Sequence, residues 1–296
     1  MSVKSLSILF CIIIFSLFLQ AKIGFAGTDL SVVPAGPAIR SGNTTIQNIT
    51  LHLKTKHHWQ LLVTPLSYSF RNISHPVSQI PVSQAEFQDN DSSNTFQFEF
   101  GKPVIVASGD NNDKIDKNCT IRISTPEGYY PGTYTGTIQF TLLSSHGTSI
   151  QNFDISFDQP VIQDISILPD NVNINMLPEN SIQMNCSQES SPPSKIYIRS
   201  NRKWKLILKS QNNINPLDYY FKTLSGSNNS NLYYSDYAKL SNTNFIIAEG
   251  GPTISSDSKT IEPTVIQVNY KISTDKYSVL TAGDYPYNVV FNLSSH

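Results

Sequence analysis

The chain states one pattern twice. Leu51-His52-Leu53-Lys54, followed by Trp59-Gln60-Leu61-Leu62-Val63, returns as Ile196-Tyr197-Ile198-Arg199, followed by Trp204-Lys205-Leu206-Ile207-Leu208. Ile121-Arg122-Ile123-Ser124-Thr125 returns as Tyr270-Lys271-Ile272-Ser273-Thr274. Pro131-Gly132-Thr133-Tyr134, leading to Phe140-Thr141-Leu142, returns as Ala282-Gly283-Asp284-Tyr285, leading to Phe291-Asn292-Leu293. The chain has two tryptophans, and they hold the same place in the two copies. A duplication of this period predicts two tandem domains of one fold, and 296 residues are enough for both. The expected organisation is a leader over residues 1–26, a first domain over 27–158 and a second over 159–296, with the boundary near Asp158 to Asp164.

Within each copy the apolar residues recur in short, strand-like runs. Thr95 to Phe100 alternates strictly, which predicts Phe96, Phe98 and Phe100 on one buried face. Past the leader, no window of about a dozen residues keeps a helical period, and Pro, Gly, Asn and Ser separate the runs. The expected class is all-β: two tandem Ig-like antiparallel β-sandwiches. The copies differ most at an insertion holding Cys186 and Ser190-Ser191-Pro192-Pro193, and over Leu217 to Lys239, which is crowded with tyrosine. Ile150 to Phe157 alternates but has no counterpart in copy two. It is expected either to close the first domain or to lead into the second.

The first residues read as an export signal. Lys4 precedes an apolar run from Leu6 to Leu19, and Gly24-Phe25-Ala26 supplies small residues for cleavage before Gly27. The run is shorter than the ~20 apolar residues that span a bilayer, so no stable membrane span is expected after cleavage. Without Lys4 and Lys22 the basic count falls from 21 to 19 against 22 acids, which gives no reason to expect a nucleic-acid partner. Export also permits a disulfide between the two remaining cysteines, Cys119 and Cys186. Such a bond would join the copies; two separate thiols are the alternative.

Trp59 and Trp204 each open an apolar strand and are expected to fill the space between two sheets. Gly132-Thr133-Tyr134 and Gly283-Asp284-Tyr285 read as a turn feeding a tyrosine whose ring is buried and whose hydroxyl meets a backbone group. The stretch from Pro131 through Leu142 resembles the late-strand signature of bacterial exported Ig-like domains, such as spore-coat-U-like and pilus-subunit-like secreted domains. The resemblance covers this strand and, more loosely, the tryptophan strand, in both copies. The chain departs from the pattern in having no cysteine pair within a copy and no clear terminal donor peptide. The resemblance implies a surface, adhesive or assembly role.

No catalytic constellation stands out. The chain has no G-x-S-x-G elbow, no phosphate-cradling glycine loop, no H-E-x-x-H and no clustered acid pair, so a non-enzymatic protein without cofactor or metal is expected. His57-His58 corresponds to Arg202-Lys203 in copy two, which reads as solvated turn. Asp110-Asn111-Asn112-Asp113 with Asp116 is rich in oxygen but lacks the spacing of a calcium loop and reads as an ordinary polar loop. The sequons at Asn43, Asn48, Asn72, Asn228 and Asn292 follow from a composition rich in Asn, Ser and Thr. Three function classes follow. The first is a secreted surface protein acting through a protein partner or self-assembly at a sheet edge, the second copy's missing last strand leaving that edge open. The second is an extracellular glycan binder using Tyr219, Tyr220, Tyr233, Tyr234 and Tyr237. The third is an accessory of an extracellular enzyme.

Overall fold

The computed structural model describes residues 28–55, 58–110, 114–175, 186–211, 217–227, 230–254, 260–274 and 283–295. Apart from one 3-10 turn, Val82–Gln84, all its regular structure is β, and it divides into two compact units. The first comprises Met1–Thr125 and Thr133–Phe157; the second comprises Pro126–Gly132 and Asp158–His296.

The first unit is built from β1 (Asp29–Pro34), β2 (Ile39–Ser41), β3 (Thr44–Lys54), β4 (Trp59–Pro65), β5 (Ser69–Asn72), β6 (Gln79–Pro81), β7 (Ala85–Asp89), β8 (Thr95–Gln97), β9 (Val104–Gly109), β10 (Lys114–Ser124), β11 (Gly132–Ser144) and β12 (Gly147–Gln159). One sheet runs β1-β3-β10-β7-β8 with β2 also on β3, and the other runs β6-β5-β11-β4-β9 with β12 on β11. The second unit holds β13 (Gln163–Leu168), β14 (Cys186–Glu189), β15 (Ser194–Ser200), β16 (Trp204–Ser210), β17 (Asp218–Gly226), β18 (Ser230–Leu232), β19 (Ala238–Lys239), β20 (Phe245–Gly250), β21 (Thr264–Thr274) and β22 (Val289–Ser295). Its sheets run β13-β15-β21-β17-β19, with β14 on β21, and β18-β20-β16-β22.

The repeated sequence blocks pair in the same register. Leu30 faces Leu53 and Ile115 faces Leu53 in the first unit; Ile165 faces Ile198 and Thr264 faces Ile198 in the second. Alternation supplies the cores: Leu51, Leu61, Ile121 and Phe140 are fully buried in one unit, and Ile196, Leu206, Ile266 and Phe221 in the other.

The tryptophans are core residues, and each has a fixed companion. Trp59 pairs with Gly109 and Trp204 with Gly250, and just afterwards both partner strands bulge, β9 at Val106 opposite Leu61/Leu62 and β20 at Ile247 opposite Leu206/Ile207. A Cβ on Gly109 would sit 2.8 Å from Trp59 Cε2, and one on Gly250 only 2.3 Å from Trp204 Cζ2. Each indole therefore lies on bare backbone, in space that only glycine leaves.

Two sequence expectations are corrected. Phe98 is buried, but β8 stops at Gln97 and Phe100 turns outward, so the three phenylalanines do not share a face. Gly283 and Tyr285 do not repeat Gly132 and Tyr134: they precede β22 outside any strand, and Tyr285 is only half-buried. The cause is the chain between the tryptophan strand and the next strand of the other sheet. In the first unit residues 66–84 hold β5 and β6, and β5 pairs with β11 at Tyr134↔Asn72. In the second unit only residues 211–217 make that connection, too few for an equivalent hairpin.

Removing the ring that fills each core should therefore be costly. Trp204→Ala is expected to lower stability by about 3–5 kcal/mol. Gly250→Ala, which forces the indole aside, should lower it by about 1–3 kcal/mol. Urea unfolding followed by far-UV circular dichroism measures both; unchanged midpoints would refute the core assignment.

Candidate functional site

The two units differ most beside their last matched strands. In the first unit β11 has neighbours on both sides. β4 lies on one, with Phe140 facing Val63 and Leu142 facing Leu61. On the same side, continuing β4, lies β5 at Tyr134 and Thr135, and on the other side lies β12. The inward side chains Tyr134, Ile138, Phe140 and Leu142 are buried, and β12 covers them with Phe153, Ile155 and Phe157. Phe153 meets Phe140 edge-on at 6.5 Å between centroids, and Phe157 stacks on Tyr134 at 5.7 Å. The opposite face of β12 is polar: Thr137 donates to Asp154 at 2.6 Å and Gln139 to Asn152 at 3.2 Å. Gln151 then reaches the facing sheet. Its amide accepts from Val32 N at 3.0 Å and donates to Val32 O at 3.4 Å, as another strand residue would. Ile150 to Phe157 is thus a closing strand of the first unit.

Tyr134 is held by this arrangement. Its hydroxyl shares a 2.6 Å hydrogen bond with Ser78 Oγ, and burial pushes its pKa above the ordinary tyrosine value. The partner seen is a side-chain hydroxyl, where a backbone group was expected.

In the second unit β22 repeats half of this. Phe291 faces Leu208 and Leu293 faces Leu206, the register of Phe140 and Leu142 against β4. On the other side of β22, no strand is paired among the described residues. Val289, Phe291 and Leu293 lean on the core but remain only half-buried, where Phe140 and Leu142 are 0 % exposed. The lower end is plugged by different residues. Tyr287 stacks on Tyr219 at 3.8 Å and donates to Ser210 Oγ at 2.6 Å, while Tyr219 donates to Tyr285 O at 3.0 Å. Tyr287 escaped the sequence reading because the repeat pointed to Tyr285. The site is a strand edge, unpaired among the described residues, beside a half-covered apolar stripe, and its chemistry is backbone hydrogen bonding plus burial of alternate side chains.

The five tyrosines of the second copy do not form one platform. Tyr219 faces inward against Tyr287, while Tyr220 lies under Lys271, whose Nζ is 5.9 Å from the ring centroid. Tyr233 donates to Glu249 at 3.1 Å, and Tyr234 packs on Phe221 and Phe245. Tyr237 sits on the outer face, its ring 4.3 Å from Lys222 Nζ and its hydroxyl accepting from Asn269 at 3.1 Å. Burial, then the Glu189 carboxylate, raises the Tyr237 pKa.

The remaining sequence candidates fall apart in space. Cys119 is a free, buried thiol on β10, so the bond to Cys186 that export would permit is not made in this structure; the inward direction of Cys119 on its strand sets it into the core. Cys186 belongs to β14, and its side chain lies outside the described residues. Asp110 bonds His58 at 2.8 Å and Asp116 bonds His52 at 2.7 Å; His57 and residues 111–113 lie outside the described residues. Among the described residues no group of three or more His, Cys, Asp or Glu side chains is placed to hold a metal, and no helix is long and apolar enough to cross a membrane. Asn72 is buried and accepts from Ser74 N and His75 N, both at 2.9 Å, so its sequon serves a turn.

No protein-family model matches the chain, and no curated protein matches it. Solved structures do. The CupB6 tip adhesin of Pseudomonas aeruginosa is similar at TM-score 0.39 and 7% identity, covering 90% of this chain and 93% of that one. The CooA pilin subunit of enterotoxigenic Escherichia coli is similar at 0.29 and 14%, covering 43% and 94%. A family 123 glycoside hydrolase of Clostridium perfringens is similar at 0.29 and 16%, covering 46% and 28%.

Burial pushes the Cys119 thiol up to about 12, aided by the Asp89 carboxylate. Native protein at pH 8 should therefore leave Cys119 unmodified by iodoacetamide, and unfolded protein should not. Peptide mapping by mass spectrometry reads the difference.

Proposed function

We propose that this chain is an exported, non-enzymatic surface protein that works by assembly, its second sandwich being completed by an extended strand from a protein partner. Residues 1–26 serve as the secretory leader in this reading, and 27–158 and 159–296 as tandem domains. The observation that carries it is the contrast between β11 and β22. The same register and the same Phe-x-Leu pair are sealed by β12 in one unit, and on β22 they lack a pairing strand among the described residues. The partner segment is specified by what β12 supplies: apolar side chains at every second position, spaced as in Phe153, Ile155 and Phe157, with polar residues between. Main-chain hydrogen bonds to β22 provide affinity, and the half-covered stripe of Val289, Phe291 and Leu293 selects the alternate side chains. Adhesion at the cell surface fits the same reading, since assembly by strand addition leaves the loops of both sandwiches free.

The test uses residues 27–296 and the synthetic peptide Ile150 to Phe157. At one hundred times its Kd the peptide should stabilise the second unit by about 2.7 kcal/mol. It should also slow amide hydrogen exchange over residues 289–295, where a scrambled peptide does not. A strictly monomeric protein whose exchange at β22 ignores the peptide refutes the reading.

A further inference from the structure

Thr95 to Phe100 alternates as if Phe100 belonged with Phe98 in the core, yet Phe98 is buried and Phe100 is 52 % exposed. The backbone shows why. Phe98 N donates to Ala85 O at 3.1 Å, and Glu99 to Lys102 then forms a tight turn closed by Lys102 N on Glu99 O at 3.1 Å. Gly101 takes φ 68 in that turn, the left-handed region that favours glycine. The chain crosses there from β8 to β9, and Phe100 is left outside. Gly101 N donates to Pro65 O at 3.1 Å, tying the turn to the end of β4. Close by, Tyr68 is 68 % exposed and stands edge-on to Phe100, with centroids 5.8 Å apart and planes at 77°. Its own carbonyl accepts from Val82 N at 3.0 Å, and Leu66, also exposed, donates to Thr137 O at 3.0 Å.

We propose that Tyr68 and Phe100 form a stacking site on the first unit for a neutral saccharide. Neither ring contributes to the core, and backbone bonds hold both segments, so the platform exists before any ligand arrives. Exposed apolar clusters mark interaction sites. The observed ring contact is Tyr68 with Phe100, and both rings are exposed. A pyranose ring offers an apolar C–H face the size of one aromatic ring, with a rim of hydroxyls. Glu99 and Lys102 border the platform, supplying acceptors and donors for that rim. They pair with each other, so they cancel in charge and give no preference for an anionic sugar. The site does not depend on strand acceptance at β22, because the first unit is closed by its own β12.

The experiment applies residues 27–296, with the variants Tyr68→Ala, Phe100→Ala and Tyr68→Phe, to an array of neutral hexose and N-acetylhexosamine oligosaccharides. Calorimetric titration of the best-bound probe follows, with urea midpoints and sedimentation recorded alongside. Wild type should bind; Tyr68→Ala and Phe100→Ala should each weaken binding by about tenfold or more, and Tyr68→Phe should keep most of it. Urea midpoints should hardly move, because both rings are exposed. Absence of binding by wild type, undiminished binding by both alanine variants, or binding confined to sialylated or sulfated probes overturns the proposal. Self-association that disappears in Phe100→Ala without saccharide binding assigns the patch to a second copy and overturns it as well.

Discussion

A strand that points phenylalanine and leucine into a sandwich needs cover along its whole length, and the fold of this chain turns on who supplies it. Backbone pairing on one side satisfies half of the strand's hydrogen-bonding groups; the other half must find a neighbour or water. In the first unit Phe153, Ile155 and Phe157 close the core while the backbone of β12 closes the edge. One segment meets both demands, because alternation sends apolar groups inward and leaves Asn152 and Asp154 for the outer face. Gln151 extends the seal to the facing sheet through Val32, so the open flank of the sandwich is tied as well as covered.

The same sequence block meets a different end in the second unit because of its connections rather than its strand. Gly283 to Leu293 matches Gly132 to Leu142 in order, and Val289 to Leu293 pairs with the tryptophan strand as Ile138 to Leu142 does. Tyr134 is buried because β5 lies beside it, and β5 exists because residues 66–84 are long enough to make a hairpin. The connection 211–217 has no such length, and Tyr285 loses its pocket. Tyr287 and Tyr219 then stack to fill part of the space. A repeat in sequence fixes which residues face each other; the loops decide which of them end up covered.

This distinction also sets what was legible beforehand. The all-β class follows from period-two alternation, which is local and survives any loop, and the core tryptophans follow from their matched places in the two copies; alternation left open whether Ile150 to Phe157 closes the first domain or leads into the second. The role of Gly109 and Gly250 was hidden, since a glycine in a strand declares itself only when the indole across from it is seen. Phe100 was misread because alternation was carried past Gln97, where a left-handed glycine two residues beyond Phe98's successor turns the chain out. The tyrosines from Tyr219 to Tyr237 gave a compositional signal without a direction, and neighbours along a strand face opposite ways. The open edge was legible as a missing counterpart, whereas its half-exposed stripe of Val289, Phe291 and Leu293 required coordinates.

How the chain treats its other edges bears on what β22 is for. Exposed edges invite unwanted pairing, and proteins blunt them with short strands, charges, proline or bulges. β1 has Asp29 and Pro34, β13 has Asp164, β14 has Glu189, and β12 has Asp154 and Asp158. β2, β6, β8, β18 and β19 are three residues or shorter. β9 is interrupted by a bulge opposite Leu61 and Leu62. β22 runs seven residues, Val289 to Ser295, with no charge, no proline and no register break against β16. Among the described residues β22 is thus the edge strand without such a device, which fits the proposal that a partner strand covers it. The side chains it offers are those that β12 buries elsewhere in the same molecule, so the chain itself records the shape of the segment that would fit.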